Sequence, residues 1–367
     1  MRPAAATAAV GVGLALIAGL FDAEPLWVPA VTLLALSTTA VVWVLLGARA
    51  VTVRRSVGAR RVVEDEPVEV ELRIQATGLG LPTGLIDDPL LPEPVALLTW
   101  HRSQQQHLRV RFARRGRRVL PAPRVIVRDP LGLATRTVSR GGSGAELLVL
   151  PRVSRVTVAG GGGEDGTVLA PQGQPRAGAE VDLDGVRGLR PGTPASRIYW
   201  PSLARGGEMM ERRLQADADT RPLVVLDPRA APGTAGQEDL DAAVRAVASL
   251  IVHLAGAGGC AALVPGDRRA VTVEPALAGW ANLHARLALV DERSRLAAAG
   301  LAGRRGPIFY VTAQRLSRAP RALVQSHGSS RVLVVPGLIA GRRSSFAVAG
   351  CNGYALSESR VAATVAA

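Results

Sequence analysis

Two long uncharged stretches near the start of the chain constrain its fold more than any other feature. They run from Ala4 to Phe21 and from Leu26 to Leu46, and a short acidic turn separates them. At about 1.5 Å of rise per residue they would form helices of roughly 27 and 31 Å, and a membrane hydrocarbon core is about 30 Å thick. We therefore expect a transmembrane helical hairpin over residues 1–50, with spans 4–21 and 26–46, that anchors the chain in a cell membrane.

Arginines indicate which side of the membrane each end occupies. Arg2 precedes the first span, the turn has no basic residue, and arginines crowd behind the second span. Because basic residues are retained on the cytoplasmic side, we expect both termini and the soluble domains to be cytoplasmic. The arginines placed to contact anionic membrane lipid are Arg49, Arg54, Arg55, Arg60 and Arg61. A cleaved signal peptide is one alternative, which the second, longer span disfavours. A buried hairpin in a soluble core is the other, and the length of the uncharged sequence disfavours it.

Composition excludes several classes of protein. The chain has 367 residues and a formal charge of +14, yet it contains no lysine. This excludes a P-loop, which needs a lysine against the phosphates, and Schiff-base or lysine general-base chemistry. The two cysteines, Cys260 and Cys351, lie far apart without a CxxC partner, which excludes a cysteine zinc site or a disulfide scaffold. We expect both to be small core residues.

Residues 51–158 are predicted to form a β-rich domain. Apolar and polar residues alternate over Val68–Ile74 and again over Leu108–Phe112, as in half-buried strands. Several short strands at such spacing indicate a small β-sandwich-like domain. A basic turn between strands suggests a lipid or nucleic-acid patch or, more simply, a solvated turn. Since the chain has four Phe and three Tyr, no base-stacking platform is evident, and we expect no nucleic acid as a partner.

The sequence period changes after a polar, glycine-rich stretch at 159–180, which we interpret as a flexible linker. Within 181–367, apolar strands at 221–227, 261–264, 308–312 and 332–335 alternate with helical patterns at 238–257 and 283–296. This alternation indicates an open, parallel α/β sheet with helices on both faces. Sites in such sheets gather at the carboxyl ends of strands. The loop that begins at Asp227 is therefore the first candidate position for a site.

Two motifs resemble those of one known family, the domain of unknown function 58 family. The first surrounds Asp129-Pro130-Leu131-Gly132-Leu133, and the second extends from Asp184 to Arg205. The residues that match the family motifs are Asp129, Pro130, Gly132, Leu133, Asp184, Gly185, Arg187, Arg190, Pro191, Gly192, Arg197, Ile198, Trp200, Ala204 and Arg205. The resemblance covers nearly the whole chain. It implies that 181–367 is a von Willebrand factor A-like (Rossmann-type) domain and that MoxR-type AAA+ ATPases are partners, with no enzymatic activity implied.

The chain departs from that pattern at two positions. Thr193-Pro194-Ala195-Ser196 stands where the family usually has an acidic pair. Von Willebrand factor A domains bind a divalent cation with Asp-x-Ser-x-Ser, whereas this chain has Asp227-Pro228-Arg229-Ala230-Ala231. Because Mg²⁺ prefers several oxygen ligands and Arg229 places a positive charge beside them, we expect a degenerate site at Asp227 that binds no metal.

These observations favour a binding protein over an enzyme. No GxSxG, HExxH or paired catalytic carboxylate motif is present, so we expect no catalytic residues and no cofactor. The favoured interpretation is a membrane-anchored scaffold or adaptor that binds protein partners in the assembly or maturation of envelope-associated proteins. The alternative is a metal-dependent ligand-binding domain. Trp200 is expected to pack against the sheet rather than to contact a partner.

Overall fold

The computed structural model describes residues 2–78, 80–141, 143–158, 183–188, 200–206, 208–214, 221–296, 306–326 and 329–356. The chain divides into two compact units, Met1–Val149 (unit 1) and Leu150–Ala367 (unit 2). This division lies before the expected domain boundary at 158, and it groups the apolar hairpin with the β-rich region. The expected linker at 159–180 lies outside the described residues.

Two apolar helices open unit 1. They are α1 (Arg2–Leu20) and α2 (Trp27–Ala50), joined by a single 3-10 turn at Glu24–Leu26. Both are long and apolar enough to cross a membrane, as the sequence predicts. Gly11 lets the two helices approach closely, because a Cβ at that position would lie 3.0 Å from the Cγ of Leu34.

Ten strands complete the described part of unit 1, in three small sheets. The sheets have the strand orders β1-β3-β6, β2-β10-β7 and β5-β4-β8-β9. Their bounds are β1 (Val51–Val57), β2 (Arg61–Val63), β3 (Pro67–Ala76), β4 (Gly84–Asp87), β5 (Val95–Ala96), β6 (Ser103–Arg111), β7 (Gly116–Leu120), β8 (Arg124–Arg128), β9 (Thr135–Val138) and β10 (Ala145–Leu150). The β-rich prediction is confirmed, and alternation along β3 buries Val70, Leu72 and Ile74 as expected.

An eight-stranded sheet organises unit 2, with the order β11-β19-β20-β18-β17-β14-β15-β16. The strands of unit 2 are β11 (Thr157–Val158), β12 (Leu183–Gly188), β13 (Met210–Leu214), β14 (Leu223–Asp227), β15 (Cys260–Leu263), β16 (Val271–Val273), β17 (Ile308–Thr312), β18 (Arg331–Pro336), β19 (Phe346–Val348) and β20 (Cys351–Ala355). Strands β15, β14, β17 and β18 are parallel, and antiparallel strands flank them on both sides. Strands β12 and β13 form a separate antiparallel pair.

Helices cover both faces of the large sheet. Within the described residues, the helices of unit 2 are α3 (Trp200–Ala204), α4 (Thr234–Gly258), α5 (Trp280–Ala288) and α6 (Arg321–Val324). On one face, α4 and α5 bury a cluster with Val224 and Leu226, and on the other Leu323 of α6 packs with Val225. Helix α4 is also long and apolar enough to cross a membrane, but 61% of its most apolar stretch is buried inside the unit.

The helix predicted over 283–296 is wrong at its end, because α5 stops at Ala288. Asp291 redirects the chain there: its carboxylate accepts the backbone N–H groups of Arg293 at 3.1 Å and Ser294 at 2.9 Å. An aspartate that bonds the backbone this way offers an alternative to continuing a helix.

Candidate functional site

The strand order of the large sheet defines where a site would lie. The chain passes from β14 to β15 on one side and then to β17 on the other, so the order reverses between β14 and β17. In open α/β sheets, ligand sites lie outside the carboxyl ends of the strands at such a reversal. Asp227 ends β14 there, and its register partner Thr312 ends β17.

A single buried carboxylate occupies this position. Asp227 is only 1% exposed, so an unpaired charge there would be costly. Arg229 donates from Nε to Oδ1 at 3.0 Å and from Nη2 to Oδ2 at 2.7 Å. The hydroxyl of Tyr310 donates to Oδ2 at 2.7 Å. Protein donors therefore satisfy both carboxylate oxygens.

The local sequence brings Arg229 back onto the carboxylate. The backbone N–H of Arg229 donates to Oδ1 of Asp227 at 3.2 Å, which is the geometry of an Asx turn. The side chain of Arg229 remains 64% exposed, whereas that of Asp227 is 2% exposed. The guanidinium of Arg229 therefore covers the carboxylate of Asp227 and is itself exposed to solvent.

The electrostatics fix the protonation states of both donors. The hydrogen bonds that Arg229 donates to Asp227, together with the negative charge of that carboxylate, raise the pKa of Arg229 above its already high value. Burial raises the pKa of Tyr310 well above 10, and the neighbouring carboxylate raises it further. At neutral pH Arg229 is charged and Tyr310 is protonated, so Tyr310 is a hydrogen-bond donor here and not a base.

These hydrogen bonds leave few free oxygen lone pairs that could coordinate a cation. A divalent cation needs several oxygen ligands, and the lone pairs of Asp227 already accept bonds from Arg229 and Tyr310. Thr312 adds a hydroxyl that accepts the N–H of Gln314 at 3.1 Å. Over the described ranges, no group of three His, Cys, Asp or Glu residues is arranged to hold a metal ion.

A second arginine lies along the same edge of the sheet. Arg315, just after β17, is 70% exposed in its side chain and pairs with Asp239 of α4, with Nε at 2.9 Å from Oδ2. It also lines a shallow cavity of about 170 Å³ with the residues that follow β18, including exposed Leu338. The carboxyl edge therefore presents two guanidinium groups, with a small cavity beside Arg315.

The first family motif forms a tight turn between β8 and β9 in unit 1. Asp129 is buried, and its carboxylate accepts backbone N–H groups from Leu131, at 3.0 Å, and from Ala134. Gly132 has a φ of 73°, which favours glycine. Although burial alone would raise the pKa of Asp129, the backbone donors lower it below its usual value. Asp129 and Gly132 are therefore turn-forming residues, with Pro130 between them and Leu133 half-buried beside α2.

The second family motif is described only in part. Asp184, Gly185 and Arg187 lie on β12, where Gly185 pairs with Arg213 and Arg187 with Glu211. Motif residues outside the described ranges are Arg190, Pro191, Gly192, Arg197 and Ile198.

Trp200 differs from expectation. It begins the single-turn helix α3 and is 52% exposed, so the prediction that it packs against the sheet is wrong. Ala204 and Arg205, at the end of α3, are exposed too. Ser202 of α3 donates to the carbonyl of Glu208 at 3.0 Å, which ties this short helix to the chain just before β13.

Histidine and cysteine have structural roles where they are buried. His284 on α5 lies with Nε2 at 2.7 Å from the carbonyl oxygen of Pro151 and stacks on Trp280. Burial lowers the pKa of His284. Both cysteines are free and buried, as predicted, and burial raises the thiol pKa of Cys260 and of Cys351 to about 12.

Sequence reasoning identified Asp227 and Arg229 but missed Tyr310 and Arg315. Tyr310 lies in a strand that reads as continuously apolar, and only the register between β14 and β17 places its hydroxyl against Asp227. A tyrosine within a buried strand was the available signal, since a buried phenol usually finds a hydrogen-bond partner.

Neither protein-family models nor curated proteins match this chain.

Proposed function

We propose that this chain is a membrane-anchored, non-catalytic scaffold whose unit 2 binds a protein partner. The observation that carries the proposal is the closed state of Asp227 at the reversal of strand order. The carboxylate that would hold a metal or act as a base is bonded by Arg229 and Tyr310. The groups exposed at this edge include two guanidinium groups, and a small cavity lies beside Arg315; together they suit an acidic polypeptide segment better than a substrate.

The fold proposal extends the resemblance in the sequence. Parallel strands β15, β14, β17 and β18 with helices on both faces are compatible with a von Willebrand factor A-like (Rossmann-type) domain over 181–367. The domain of unknown function 58 family then suggests the partner, a MoxR-type AAA+ ATPase, and a role in the assembly or maturation of envelope-associated proteins.

The anchoring proposal is based on α1 and α2. We place both termini and the soluble parts in the cytoplasm, with the Asp22–Pro25 turn outside, because arginine follows α2 and is absent from the turn. Of the five arginines between Arg49 and Arg61, Arg55 is unavailable to lipid, since its side chain is buried and pairs with Asp88 at 2.9 Å. A reporter that is active only outside the cytoplasm, fused after Ala50, should be inactive. Activity at that fusion point would contradict the topology.

Capture of the partner tests the scaffold proposal. The tagged full chain, purified from gently solubilised membranes with and without ATP, should recover a MoxR-type ATPase in a nucleotide-dependent amount. Trp200→Ala should reduce recovery without lowering the melting temperature, since truncating an exposed anchor spares the fold. Val119→Ala is the control, because Val119 is 72% exposed but lies on β7 of unit 1. Failure to recover the ATPase in either nucleotide condition would contradict the proposal.

The alternative is a metal-dependent ligand-binding domain of von Willebrand factor A type. It keeps Asp227 as a ligand, but it requires Arg229 to leave the carboxylate so that a cation can replace two charge-assisted bonds. The effect of Mg²⁺ on stability distinguishes the two proposals.

A further inference from the structure

Over the C-terminal half of helix α2, one face is buried and the opposite face is exposed. Ala40, Val44 and Ala48 are buried in the core of unit 1 against the β sheets. On the opposite side, Val42 is 47% exposed and Leu46 is 59% exposed. A helix that crosses a membrane exposes such apolar residues to lipid. The β region therefore packs against a stretch of α2 whose other side is suited to lipid.

Distances along the helix support this overlap. Trp27 and Leu46 are separated by roughly 28 Å at 1.5 Å per residue, and a hydrocarbon core is about 30 Å thick. Ala40 is roughly 20 Å from Trp27 on the same basis. If lipid reaches Leu46 on the open side, the β-region loops beside residues 40–46 lie within the depth of the membrane.

Two loops of unit 1 lie at this level and expose apolar side chains. The loop after β5 carries Leu98 and Trp100, which are 54% and 64% exposed. The ring of Trp100 lies 6.0 Å from that of Trp43 on α2. The turn between β8 and β9 carries Leu131, 63% exposed.

The same turn contacts the first residues of α1. The carbonyl of Leu133 accepts the backbone N–H of Ala4 at 2.9 Å, so Leu131 lies beside the inner end of the hairpin. Arginine neighbours each loop, since exposed Arg102 follows Trp100 and exposed Arg128 precedes the turn. Tryptophan prefers the membrane interface, and arginine there binds anionic headgroups.

We propose that Leu98, Trp100 and Leu131 form a collar that inserts into the bilayer interface around the hairpin. The inserted collar would hold unit 1 against the membrane surface, beyond the tether that the two helices provide. This inference rests on the proposed membrane anchoring, and its occupant is the lipid of the leaflet that surrounds the inner ends of α1 and α2.

Spin labels in the full chain, reconstituted in vesicles of phosphatidylcholine and phosphatidylglycerol, test the collar. Leu98→Cys and Leu131→Cys are each labelled and probed with oxygen, which partitions into lipid, and with a water-soluble nickel complex. The native cysteines interfere little, because both are buried and the thiol pKa of each is raised to about 12. If Leu98→Cys does not fold, Trp100→Cys reports on the same loop.

Two control positions separate the collar from the anchor. Leu16→Cys, at a site 61% exposed on α1, reports on the hairpin, and Val119→Cys, at a site 72% exposed on β7, reports on a solvent-facing apolar position. The ratio of oxygen to nickel collision rates should be several-fold higher at Leu98, Leu131 and Leu16 than at Val119. Water-like ratios at Leu98 and Leu131 with a lipid-like ratio at Leu16 would overturn the collar alone. A water-like ratio at Leu16 would overturn the anchoring and the collar with it.

Discussion

Two side chains of different chemistry, Arg229 and Tyr310, stabilise the carboxylate of Asp227. The guanidinium is largely exposed, so solvent screens its contribution. The phenol is buried, with Tyr310 only 2% exposed, and its hydrogen bond to a charged acceptor is shielded from water. We therefore expect the hydrogen bond from Tyr310 to contribute more to stability than the exposed ion pair with Arg229.

The substitution Tyr310→Phe tests this at the residue scale. Removing a hydrogen bond to a charged group typically costs about 1.5–3 kcal/mol, and the free energy of unfolding of unit 2 should fall by that amount in urea titrations. Tyr354→Phe is the matched control, because the Tyr354 hydroxyl accepts the neutral N–H of Ile339 at 2.8 Å. An equal or smaller loss for Tyr310→Phe would show that Tyr310 does not stabilise a charged Asp227.

At the scale of elements, a close contact joins α2 to the sheets of unit 1. A Cβ on Gly47 would lie 3.0 Å from the Cβ of Pro82 and 3.2 Å from Cγ1 of Val127. Glycine at this position lets the helix lie close to β8 and the loop before β4. A larger side chain would have to separate them.

The pair Gly47→Leu and Gly13→Leu measures this contact. Overpacking typically costs about 1–3 kcal/mol, so Gly47→Leu should lower the melting temperature of unit 1 in detergent. Gly13 is the control, because a Cβ there meets nothing within 4 Å and both changes gain similar helix propensity. Equal melting temperatures for the two variants would mean that α2 does not pack on the sheets as described.

Helices and strands with a regular pattern of apolar residues could be predicted from the sequence. Which of these elements pack against each other could not. The pattern over 238–257 predicted α4, which the structure extends to Thr234–Gly258, and the apolar runs located β14 and β17. The pairing of those strands, and hence the contact of Tyr310 with Asp227, depends on a register that the pattern does not contain. The prediction that Trp200 is buried was wrong for a related reason. The hydrophobicity of a side chain does not show whether another element packs against it.

At the scale of the whole molecule, the chain consists of two units with separate cores. Unit 1 joins the apolar hairpin to the β region through buried residues of α2, so that the hairpin and the β sheets form one folded body. Unit 2 carries the large sheet and the closed carboxylate edge. We propose that unit 1 attaches the chain to the membrane and that unit 2 provides a binding surface that needs no metal.

The effect of Mg²⁺ on the melting of unit 2 tests that account most directly. A cation that binds the native state raises its stability by RT ln(1 + [L]/Kd), about 2.7 kcal/mol at a hundredfold excess over Kd. We predict that millimolar Mg²⁺ leaves the melting temperature of the full chain in detergent unchanged, because Arg229 and Tyr310 already bond the carboxylate of Asp227. A clear rise in melting temperature that Asp227→Ala abolishes would contradict the account and favour the metal-dependent alternative.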